Sequence, residues 1–146
     1  MALYVAICLL AALTVASRSE LAHQETVIKI VWGTTLGLAL AHWFAFRLSS
    51  RLVAGGSVRG SDVEVASAQV IGSLVVAVLA TVPVVIFDAD AELDAARWVL
   101  AGFIAAVGYL VARSSGASIA RSMLYASSTA VFALAVVLVK NALLGH

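Results

Sequence analysis

A histidine, a glutamine, two tyrosines and a serine stand inside otherwise apolar sequence at matching distances from charged markers. His42 lies in Leu40-Ala41-His42-Trp43-Phe44, five residues before Arg47. At 1.5 Å per helical residue this puts it roughly 7–8 Å inside one membrane boundary. Gln69 follows Glu64 by five residues and Tyr109 precedes Arg113 by four. Tyr125 and Ser128 follow Arg121 by one and two turns. Four successive apolar segments thus bring hydrogen-bonding groups to a similar depth. Polar and ionisable groups at membrane depth are costly, so each calls for a reason. One reading is a hydrated cavity or pore lined by these five residues, with His42 as a titratable gate or proton relay. The other is interhelical hydrogen bonding that only fixes helix packing. His42 and Trp43, being adjacent, point about 100° apart on a helix and cannot share one pore face.

A second polar group belongs to the opposite end. Lys29 and Lys140 each sit about one turn inside a helix end, with Asn141 beside Lys140. Snorkelling to the headgroups is one expectation. The alternative is an ion pair with Asp88 or its acidic neighbours, which would tie helices two, three and five together. Glu25 and Lys29 stand at i,i+4 in the favourable order, worth a few tenths of a kcal/mol. Gly33-Thr34-Thr35-Leu36-Gly37 is a GxxxG, a pattern that permits close helix approach, so Gly33 and Gly37 are helix-packing candidates.

The chain carries no HExxH, GxSxG or P-loop and no paired intramembrane carboxylates, so an enzyme is not expected and no catalytic residue is assigned. His23, His42 and His146 lack metal-ligand spacing, and Cys8 is the single cysteine, so neither a metal site nor any other cofactor is expected. A formal net charge of +1 without a basic run leaves no electrostatic footprint for nucleic acid.

The elements that must position these residues are written in the composition. Hydrophobic residues make up 63% of the 146 positions and charged residues 12%, half of what soluble domains carry. Apolar stretches cover about residues 2–17, 26–48, 63–87, 97–113 and 119–144. A bilayer core of about 30 Å needs roughly 20 helical residues. The expectation is an all-α polytopic membrane helix bundle, a single domain with about five transmembrane helices near 2–17, 20–48, 62–87, 91–113 and 119–144. The first stretch is short. Its start carries no basic residue, so a retained membrane helix is expected over a cleaved signal peptide or a surface-lying helix.

Punctuation supports these bounds. Ser17-Arg18-Ser19-Glu20 and Ser61-Asp62-Val63-Glu64 fit capping boxes. Asp90 is a candidate N-cap, with Glu92 and Asp94 suited to a helix N-terminus. Ser114-Ser115-Gly116 should end the fourth helix, and Ser118 can cap the fifth. Residues 49–60, with Gly55-Gly56-Ser57, form the one flexible-looking linker. Pro83 should bend the end of the third helix.

Arg47, Arg51 and Arg59 flank the second connection, and Arg113 and Arg121 the fourth. The positive-inside rule puts both in the cytoplasm, with the N-terminus inside and the C-terminus outside. If the first segment does not span, its end moves outside and the rest stays.

Ala41-His42-Trp43-Phe44-Ala45 and the closing Val137-Leu138-Val139-Lys140-Asn141-Ala142-Leu143-Leu144 resemble small, uncharacterised multi-pass integral membrane proteins of actinobacteria. Those carry a similar W-L-A-H-type segment and a lysine-containing last helix. The resemblance implies a bacterial inner-membrane location and transfers no catalytic residue. The functional expectation is an oligomeric channel or permeation protein for a small ion, in contact with the lipid bilayer. The alternative is a non-transporting scaffold or accessory subunit with an unidentified membrane partner. A bundle this small gives each helix few neighbours, so a homo-oligomer is expected.

Overall fold

The computed structural model describes residues 1–15, 23–53, 60–87 and 91–144. Five helices and no strand occur among them: α1 (Ala2–Val15), α2 (Gln24–Val53), α3 (Gly60–Ile86), α4 (Glu92–Ser114) and α5 (Ile119–Leu144). The fold is the expected all-α bundle. Helices α2 to α5 are long and apolar enough to cross a membrane, and the chain is a multi-pass membrane protein.

Helix α1 departs from the expectation of a fifth span. Its 14 residues reach about 21 Å, short of a roughly 30 Å hydrocarbon core. It becomes the hub of the bundle instead. Among the described residues, helices α2, α3, α4 and α5 pack in chain order as an arc, each touching only its sequence neighbours and α1, while α1 touches all four. The reason lies in ALYVAICLLAALTV, which has no charge and no polar face. A helix that is apolar all round is stable when surrounded. Val5, Ala6, Leu9 and Leu13 are fully buried, against Val27 and Val31 of α2, Val76, Ala80 and Val84 of α3, and Leu100 and Ile104 of α4.

The hub fills only part of the bundle's depth. Ala2 lies beside Gly72, halfway along α3, and the other end of α1 meets Arg97 in the first turns of α4. Helix α1 therefore runs alongside the second half of α3. The end holding the second half of α2 and the first half of α3 has no central helix among the described residues.

Helix ends follow local chemistry. Helix α4 stops in a Schellman arrangement: Gly116, at φ +79°, donates its N–H to the Arg113 carbonyl, and Ala117 to the Ala112 carbonyl. Arg113 adds a bond from Nη1 to the Ala117 carbonyl at 2.8 Å. Ser118 then caps α5, its Oγ accepting from the Arg121 N–H. At the other end of α4 the expectation is corrected. The flanking residue is Ala91, with no side-chain cap; Asp90 lies outside the described residues, as does the box at Ser17–Glu20. Helix α2 also continues past 48 to Val53, carrying Arg47 and Arg51 on regular helix.

Candidate functional site

Depth counted from the charged markers brings two of the five polar candidates into contact. His42 Nε2 and Gln69 Oε1 lie 2.6 Å apart, bridging α2 and α3. An amide oxygen can only accept, so Nε2 carries the hydrogen and donates. Nδ1 has no partner among the described residues. His42 is exposed and Gln69 half-buried, so neighbouring helices leave the pair open on one side.

The pair sits about one turn beyond the start of α1, in the part of the bundle that α1 does not fill. Gln69 is three residues, about 4.5 Å of rise, from Gly72, where α1 begins. Ser73 continues the stripe one turn deeper; it is fully buried and donates its hydroxyl to the Gln69 carbonyl at 2.9 Å. On α2, Thr35 lies two turns from His42 on the same face. It is fully buried, and its Oγ1 has no hydrogen-bond partner among the described residues. Thr14, Thr81 and Ser122, by contrast, return their hydroxyls to the carbonyl four residues back. The α2–α3 seam therefore carries polar groups from the His42 level inward, ending on a hydroxyl with free donor and acceptor capacity.

The remaining candidates share the depth but not the direction. Tyr109 is half-buried on α4, and Tyr125 and Ser128 are exposed on α5. Among the described residues α5 touches neither α2 nor α3, so within one chain these residues do not join His42 and Gln69.

The proposed packing glycines are also displaced. A Cβ added at Gly33 or Gly37 would meet nothing within 4 Å, so these two glycines pack against no helix among the described residues. Close packing occurs at Gly108, where a Cβ would stand 2.6 Å from Thr129 Oγ1 and 3.2 Å from the Tyr125 carbonyl oxygen. Gly108 and Ala112, four apart and both buried, were the available signal for this α4–α5 seam.

At the other end, Lys29 pairs with Glu25 at 2.6 Å, both side chains being more than 70% exposed. Asp88 and the Lys140 side chain lie outside the described residues, so the three-helix ion pair rests on nothing the structure describes. The polar clamp found here is a different one. Arg97 donates from Nε and Nη2 to the Leu13 carbonyl and from Nη1 to Asp94 Oδ1 at 2.9 Å. Gln24 Nε2 similarly donates to the Val84 carbonyl, tying the start of α2 to the end of α3.

No group of three or more metal-ligating side chains occurs among the described residues. No protein-family model, curated protein or solved structure matches the chain.

Proposed function

We propose that this protein is a small-ion permeation protein of the bacterial inner membrane and works as a homo-oligomer. The observation that carries the reading is the His42–Gln69 bond, a titratable group held at membrane depth beyond the start of α1. Three further features support it. The buried Thr35 hydroxyl continues the polar seam, the His42 side of the pair is open, and Nδ1 of His42 has no partner among the described residues. Tyr109, Tyr125 and Ser128 line the path only if a neighbouring copy presents them, which makes oligomerisation part of the proposal. The pathway residues bind and orient water or a small ion; no bond-making chemistry and no cofactor is assigned to them. Connections 54–59 and 115–118, with their flanking arginines, face the cytoplasm in this reading, and the half of the bundle built on α1 faces outward.

A scaffold or accessory subunit is the second reading, favoured by the same bond, because it ties α2 to α3 directly. Proteoliposome flux separates the two. A permeation protein gives flux above empty vesicles that His42→Ala alters without dissociating the oligomer. A scaffold gives no flux for H⁺, K⁺ or Cl⁻, and in it His42→Ala lowers only stability.

A further inference from the structure

We infer that the groove between α2 and α3, on the side away from the His42–Gln69 bond, holds an acyl chain of an anionic phospholipid whose phosphate is bound by Arg47 and Arg51. The groove encloses about 420 Å³. Its floor is Ala39 and Ala66, each 6% exposed, and its walls include Leu40, Trp43, Val70 and Ile71. Two small residues facing each other keep the helix backbones close while the larger flanking side chains stand up as rims. From Val63 to Leu74 the groove runs about 16 Å along α3, a length suited to a hydrocarbon chain.

Its occupant is named by charge at one end. Trp43 continues into Arg47 one turn on, with the guanidinium 5.6 Å from the indole centroid. Arg51 follows one further turn, and Phe44, Arg47, Leu48 and Arg51 line a second hollow of about 220 Å³. Among the described residues the ion pairs are Lys29–Glu25 and Arg97–Asp94, so neither Arg47 nor Arg51 meets a carboxylate. An apolar groove, then an aromatic ring, then two guanidiniums reproduces the order of chain, ester region and phosphate in a lipid. Guanidinium suits phosphate through paired N–H donors. Each basic residue at an anionic headgroup is worth roughly a fivefold preference.

The test uses Trp43 as reporter in a Trp32→Phe, Trp98→Phe background. Its fluorescence is read in vesicles containing brominated phosphatidylglycerol or brominated phosphatidylcholine. The expected result is quenching by both lipids, with phosphatidylglycerol favoured about five- to twenty-fold at low salt. Arg47→Gln with Arg51→Gln should bring that ratio close to one while quenching persists. Equal preference in the parent protein, or a preference that survives the double substitution, overturns the proposal. Absence of quenching by either lipid also overturns it and assigns the groove to a second copy of the chain. If the tryptophan variants do not fold, native mass spectrometry of the unmodified protein reads the same preference from its phosphatidylglycerol and phosphatidylcholine adducts, with equal occupancy as the contradicting outcome.

Discussion

The guanidinium of Arg97, on the second turn of α4, closes on the carbonyl of Leu13 at the end of α1, 84 residues earlier in the chain. The last carbonyls of a helix have no intrahelical partner and carry its negative dipole end. Arg97 supplies both the hydrogen bonds and the charge, and Asp94 braces it from the preceding turn. The short apolar hub is thereby fixed along its axis, which apolar packing alone does not do.

Arg97→Gln is therefore expected to lower the stability of the detergent-solubilised protein by about 1.5–3 kcal/mol, the range for a hydrogen bond to a charged group. Arg97→Lys should fall between the two, since an ammonium lacks the planar fork that reaches one carbonyl through two nitrogens. Unfolding midpoints of the three proteins give the comparison. A glutamine variant as stable as the parent would mean that the clamp contributes nothing.

Gly108→Ala should destabilise the α4–α5 seam by about 1–3 kcal/mol, because the new methyl meets Thr129 and the Tyr125 backbone oxygen. Adding Thr129→Ala should recover only part of the loss, since the backbone contact stays. Gly33→Ala and Gly37→Ala meet nothing and should leave the monomer bundle as stable or slightly more so, by helix propensity. If Gly37→Ala unfolded the protein while Gly108→Ala did not, the packing described here would be inverted.

These glycines mark the boundary of what the sequence discloses. Depth was readable: counting residues from charged markers put His42 and Gln69 at one level, and α2 and α3, joined by a short connection, had to be antiparallel neighbours. Direction was not. On a helix apolar all round, periodicity does not distinguish the face toward lipid from the face toward protein. So Tyr125 and Ser128 shared the level of His42 but belong to a helix that does not touch α2 among the described residues, and Gly33 and Gly37 of α2 turned out unpacked. The central place of α1 was hidden for the same reason, since apolarity names a solvent and not a neighbour. The Arg97 clamp was missed because an arginine near a helix start reads as a surface charge until α1 is known to end beside it.

Thr35→Val separates a structural from a conducting role for the polar seam. A buried hydroxyl without a partner costs about 1–3 kcal/mol, and valine keeps nearly the same volume, so stability should stay level or rise. Flux should fall, because the seam loses its deepest polar group. Reduced stability would show that the hydroxyl is bonded in the protein at work, and unchanged flux would take Thr35 out of the path.

Lys29→Ala should change stability by less than about 0.5 kcal/mol, as both partners of its ion pair are exposed to solvent and screened. A loss of 2 kcal/mol or more in the same unfolding assay would point back to a buried partner such as Asp88.

In the permeation reading His42 sits in an ion path. Flux of H⁺, K⁺ and Cl⁻ through the purified protein in proteoliposomes, at about pH 5.5 and about pH 7.5, brackets the range in which a histidine changes charge. The expected result is a flux above empty vesicles that differs between the two conditions, with the difference abolished by His42→Ala in protein verified as folded. No flux for any of the three ions, or a pH dependence that His42→Ala leaves intact, would contradict it.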